Sequence, residues 1–107
     1  MDNFRVIYKI LRTLERFMDA EEFDFSLIQA GALGVSEARW ARIIQMLVTD
    51  GYIAGVRAVS YDGQPVPRII TSSPSITLKG LEYLQENSMM QKFARAGKMI
   101  KDSVPGL

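Results

Sequence analysis

A broadly amphipathic N-terminal helix, a well-capped helix stopped by Asp50-Gly51, and an abrupt change there to strand-like sequence predict an α+β domain of winged helix-turn-helix type. The expected architecture is three helices and a two- to three-stranded wing, with additional helices at the C-terminal end. Residues 1–87 make up the domain, and residues 88–107 an appended amphipathic basic helix and tail. A small all-helical bundle carrying a hairpin is the plainer alternative.

Residues 2–18 read as the first helix. Phe4, Ile7, Tyr8, Leu11, Leu14 and Met18 recur at helical spacing, and Asp2 stands where an N-cap belongs. Val6, Ile10 and Phe17 widen the stripe enough to touch two neighbours. The acidic stretch over residues 19–24 follows as a solvated linker. A short helix over residues 26–30 ends in Gly31 and Gly34. The clearest helix comes next, with Ser36 as N-cap and Glu37 in the first turn. Trp40, Ile43, Ile44, Leu47 and Val48 share its inner face. Ala38, Arg42, Gln45 and Thr49 point the other way, with Arg39 on the flank.

Residues 52–60 are rich in β-formers, and Asp62-Gly63 is a hairpin turn signal. The return strand runs over residues 66–72, with Pro65 and Pro67 indicating an edge. Ser73-Pro74 breaks it, and Ile76 adds a brief further pairing. Thr77 caps a helix running through Leu78, Leu81, Tyr83 and Leu84 to Asn87. Gly80 in its first turn costs helix propensity, which a close backbone approach would explain. The last helix spans residues 89–102. Met89, Phe93, Ala96, Gly97 and Ile100 form its apolar face, and Lys92, Arg95, Lys98 and Lys101 lie opposite.

A chain of 107 residues with 48% hydrophobic and 23% charged side chains can bury one real core. With no cysteine and no histidine, it has no thiol chemistry, disulfide, Cys/His zinc site or histidine-based triad. Glu21-Glu22 lies in an exposed linker without an apolar pocket to shift a pKa. Gly31 and Gly34 are not followed by the lysine and hydroxyl of a phosphate loop, and the acids of residues 19–24 lack calcium-loop spacing. The expectation is therefore no enzyme, no cofactor and no metal. Without a long apolar run or a leader-like N-terminus, a cytoplasmic setting and no membrane partner are expected.

The net charge of +1 conceals an uneven distribution. Residues 1–50 hold six basic and eight acidic side chains, and residues 51–107 hold seven basic and four acidic. The two halves can attract each other or a partner's opposite half.

Three stretches carry a resemblance: Ile7-Tyr8-Lys9-Ile10-Leu11, Leu47-Val48-Thr49-Asp50-Gly51-Tyr52-Ile53, and, most specifically, Ile76-Thr77-Leu78-Lys79-Gly80-Leu81-Glu82-Tyr83-Leu84-Gln85-Glu86-Asn87-Ser88. Together they resemble the YjcQ family of small bacterial and prophage proteins. The resemblance implies a winged-helix fold and a bacterial or prophage setting. It brings no assigned activity, so no functional residue carries over. The long wing tip over residues 60–67 departs from shorter members.

Function must then be argued from the residues. In a helix-turn-helix domain the second helix of the motif enters the major groove of double-stranded DNA. Here it would offer Arg39, Arg42 and Gln45, since arginine suits guanine and glutamine suits adenine. The wing would add Arg57, Gln64 and Arg68 for backbone or minor groove. Glu37, Asp62 and a sequence pI near 8.0 weigh against this reading. Tyr52, Tyr61 and Tyr83 read as packing residues rather than stacking platforms, and Trp40 as a core anchor. A homodimer is expected through Phe4, Tyr8 and Leu11 of the first helix with Phe93, Ala96, Gly97 and Ile100 of the last. The leading function is DNA binding in transcriptional control. The alternative is a protein-interaction module on the same fold.

Overall fold

The computed structural model describes residues 2–87. The element order is α1 (Asn3–Arg16), a 3-10 helix (Phe25–Ile28), α2 (Ala30–Leu33), α3 (Glu37–Thr49), β1 (Ile53–Val59) and β2 (Arg68–Ile76). A further helix, α4, follows over residues 78–87. This is an α+β arrangement of helices and one two-stranded antiparallel sheet, compatible with a winged helix. The last predicted helix, with Phe93, Ala96, Gly97 and Ile100, lies outside the described residues.

Capping sets the start of α1, where the Asp2 carboxylate accepts from the Arg5 amide at 2.9 Å. The buried face of α1 is Val6, Ile10, Leu11 and Leu14. Phe4 and Met18, both placed in the predicted stripe, are exposed. Met18 lies past the helix end, so helical spacing no longer aims it inward. Residues 19–22 are solvated as expected, but the linker ends earlier than the acids do. Phe23 packs edge-on against Phe17 at 5.2 Å. Asp24 caps the 3-10 helix, and its bonds from the Ser26 hydroxyl and then the Ser26 amide hold its carboxyl below the usual range.

The single short helix predicted for residues 26–30 is in fact two pieces, separated by the extended residue Gln29. Gly31 lies inside α2, and Gly34 ends it in the left-handed region at φ 70°. Trp40 fastens this region to α3. Its indole N–H donates to the Ile28 carbonyl at 2.7 Å, and Phe25 meets its ring edge-on at 5.9 Å. The buried indole is the core anchor its position in the sequence indicated.

At its C-terminal end α3 closes with a paired motif in which Tyr52 N–H donates to Leu47 at 2.8 Å and Gly51 N–H to Val48 at 3.1 Å. Gly51 takes φ 81°, which a residue with a Cβ rarely adopts. The N-terminus of α4 then lies directly on this turn. Thr77 donates its hydroxyl to Gly51 O at 2.5 Å and its amide to Tyr52 O at 3.2 Å, while its hydroxyl accepts from the Gly80 amide at 3.1 Å. Lys79 donates to Asp50 O at 2.8 Å and stands 4.8 Å over the Tyr52 ring. A Cβ on Gly80 would sit 2.5 Å from Tyr52 O, so the close approach anticipated for this glycine is real. Tyr52 and Tyr83 pack edge-on at 5.6 Å, and Leu84 enters the core. Tyr61, by contrast, is exposed.

The strands pair from Ile53↔Ile76 to Val59↔Arg68. Ser73-Pro74 does not end β2; it bulges opposite Gly55, and pairing resumes at Ser75 and Ile76 in the same sheet. Gly55 at φ 76° permits the bulge, since a Cβ there would meet Ser73 O at 1.9 Å. Asp62-Gly63 turns as expected, with Gln64 N–H donating to Tyr61 O at 3.1 Å. Asp62 keeps negative φ, however, so the turn caps a longer loop over residues 60–67 rather than closing a two-residue hairpin.

Two expectations follow. Gly80→Ala should lower unfolding free energy by about 1–3 kcal/mol through overpacking. Gly31→Ala, with open space around its Cβ, should raise it by about 0.4–1 kcal/mol; urea denaturation of both checks the contrast. The second concerns Tyr83, whose phenol is pushed above 10.0, first by burial and then by the Tyr52 phenol. The folded state holds this proton more tightly than the unfolded chain does. Stability from this group is therefore whole below pH 10.0 and falls as pH rises through the folded value. Tyr83→Phe should flatten that alkaline loss in urea midpoints measured across the range.

Candidate nucleic-acid interface

The register of α3 is set at its first turn, where the Ser36 hydroxyl accepts from the Arg39 amide at 3.1 Å. Trp40, Ala41, Ile43, Ile44 and Leu47 are buried, which turns Glu37, Arg39, Arg42, Met46 and Thr49 to solvent. Gln45, expected on the outer face, is half-buried together with Ala38. Arg39 and Arg42 stand together in an open groove of about 390 Å³ lined also by Asn3, Ser36, Ala38, Ile43 and Met46.

Arg39 is positioned from α1, since its Nη1 donates to Asn3 Oδ1 at 2.9 Å. The acceptor is a neutral amide, so it orients the guanidinium without cancelling its charge. Among the described residues the ion pairs are Arg5 with Asp2 and Arg12 with Glu15. Arg39, Arg42, Arg57 and Arg68 therefore have no carboxylate partner there. Glu37 does not line the groove.

The sheet supplies a second pair. Arg57 stands opposite Ile70 and Val59 opposite Arg68, so these four residues share one face and the two arginines are diagonal neighbours. Ile70 between them is part-exposed. Gln64 is exposed on the loop, beyond the Asp62-Gly63 turn. No strand residue lines the α3 groove, so the two arginine pairs form separate features.

Two participants were absent from the sequence reading. Met46 is 50% exposed, and its spacing of four from Arg42 and seven from Arg39 is a helical signal that could have found it. Asn3 lies 36 residues from Arg39, and no local pattern joins them. Of the residues expected at a dimer interface, Phe4 is 73% exposed and Tyr8 half-buried. Leu11 is fully buried in the core and has no surface to offer a partner. Among the described residues no acidic cluster is arranged to hold a metal ion, and no helix is long and apolar enough to cross a membrane.

Comparison with known proteins gives a consistent match. A protein-family model described as YjcQ protein matches residues 8–103. The uncharacterized protein YjcQ of Bacillus subtilis (strain 168) is 33% identical over 70 residues, covering 65% of this chain and 70% of the relative. No solved structure matches.

Because Ser36 starts the helix that carries both groove arginines, Ser36→Ala should cost about 1 kcal/mol in thermal or urea unfolding. Ser36→Asp should retain most of that stability.

Proposed function

The chain belongs to the YjcQ family, and on that premise we propose that it is a winged-helix DNA-binding protein, a small bacterial or prophage transcriptional regulator. The observation that carries this reading is the α3 groove, where two arginines lie side by side without a carboxylate partner among the described residues. α3 enters the major groove, and Arg39 and Arg42 donate to guanine edges or to phosphates. Fixing the Arg39 guanidinium through Asn3 lowers the ordering cost of that contact. Gln45, half-buried and outside the lining of that groove, contributes less to the duplex than the two arginines. The diagonal pair Arg57 and Arg68 and the loop residue Gln64 meet backbone phosphates, where a polyanion relieves the repulsion between two unpaired guanidinium groups.

A protein-interaction module is the second reading. Phe4 and Leu78, each 73% exposed, favour it, because DNA contact gives large apolar side chains little to bury against.

The two readings separate by salt. Affinity of the full chain for a mixed-sequence duplex, followed by fluorescence anisotropy, should fall steeply as salt rises. Arg42→Ala should weaken binding and reduce the log–log salt slope by about 0.9, the share of one phosphate contact. Binding indifferent to both changes, or no binding at low salt, rejects the DNA reading.

A further inference from the structure

The outward face of α1 carries Arg5, Lys9, Arg12 and Arg16, spaced four, three and four residues apart and all exposed. This stripe lies nearly opposite the buried face of Val6, Ile10 and Leu14. It borders a groove of about 380 Å³ between α1 and the short helices, with Tyr8, Leu27, Ala32 and Leu33 among its lining. Arg5 and Arg12 have ion-pair partners within α1 or at its cap; Lys9 and Arg16 have none among the described residues.

Directly after α1 the chain displays the opposite character. Asp19, Glu21 and Glu22 are exposed, and none forms an ion pair with a described cation. Met18, at the head of this segment, is 58% exposed, although methionine adapts readily to an apolar groove. In its own chain the segment lies beside the end of β2 rather than on the stripe, with Met18, Glu21 and Glu22 lining a groove shared with Ser73, Pro74 and Ile76.

We propose that the basic groove of α1 receives residues 18–22 of a second copy of this chain. Met18 of the incoming segment covers the part-exposed Leu27, and its carboxylates meet Lys9 and Arg16. Each chain carries both halves of the contact, so a two-fold pair uses two identical half-sites and closes on itself. The surface is separate from the α3 groove, and the pairing does not depend on DNA binding.

Charge exchange in the full chain tests it, with sedimentation velocity as the readout and circular dichroism confirming that each variant is folded. The wild-type chain should dimerise reversibly, with a dissociation constant rising on the order of tenfold as salt goes from about 0.1 M to about 1 M. Lys9→Glu/Arg16→Glu and Glu21→Lys/Glu22→Lys should each be monomeric alone. Mixed together they should form a heterodimer, because each reversed half-site then faces its opposite. A wild-type chain monomeric at high concentration, variants that still dimerise alone, or a mixture that stays monomeric would each overturn the proposal.

Discussion

The structure turns on one joint, where the N-terminus of α4 rests on the backbone that ends α3. Three successive carbonyls, of Asp50, Gly51 and Tyr52, receive donors from Lys79 and Thr77. A helix end leaves its last carbonyls without partners within the helix, and Lys79 supplies one to the C-cap carbonyl of Asp50, while Thr77 binds the two carbonyls that follow it. They also fix the angle at which β1 leaves α3 and bring Leu84 into the core. Gly80 makes the contact sterically possible, and the Tyr52–Tyr83 pair and Lys79 pack around it. Two of the three stretches that resemble the YjcQ family are the two sides of this joint.

A rigid α3 has a consequence on its other face. Its inner residues are locked among α1, the short helices and β1, its start is capped by Ser36, and its end is clamped by α4. The side chains it presents outward are therefore held by a fixed frame. Arg39 is restrained further by Asn3, so at least one of the two groove cations is positioned before any ligand arrives. The bulge at Gly55 does comparable work in the sheet: without it, Ile53 and Val56 could not both be buried along β1, since they stand three positions apart and strict alternation turns odd spacings to opposite faces.

Total charge was a poor guide to where charge acts. The N-terminal half is net acidic, yet it contains the most regular basic stripe among the described elements, on α1. Four of its eight acids gather in the loop after the helix, and Asp2 and Glu15 pair with Arg5 and Arg12, which leaves Lys9 and Arg16 without an ion pair among the described residues. The C-terminal half is net basic, but of its bases only Arg57, Arg68 and Lys79 belong to the described fold, and Lys79 is spent on holding α3. A sum over residues cannot distinguish a structural cation from one that faces solvent.

How much could be read in the sequence follows the range of the interactions. Asp2 and Ser36 as caps, the inner face of α3 around Trp40, the turn at Asp62-Gly63 and the crowding at Gly80 were all legible, because each rests on residues a few positions apart or on a side chain's intrinsic conformational cost. Read locally, Ser73-Pro74 breaks a strand; across the sheet it is a bulge, because Gly55 gives the carbonyl of Ser73 room. Gln45 looked free on a helical wheel and is half-buried, since a wheel does not know which neighbours flank the core face. Leu11 looked available to a partner and is filled from within its own chain. Caps, periodicity and glycines thus place α1, α3 and the wing turn from local pattern, while the short helices and the end of β2 depart from it by a few residues. Which charges remain free and which surfaces remain open follows instead from contacts such as Arg39 to Asn3 and Lys79 to Asp50, 36 and 29 residues apart, that no local pattern encodes.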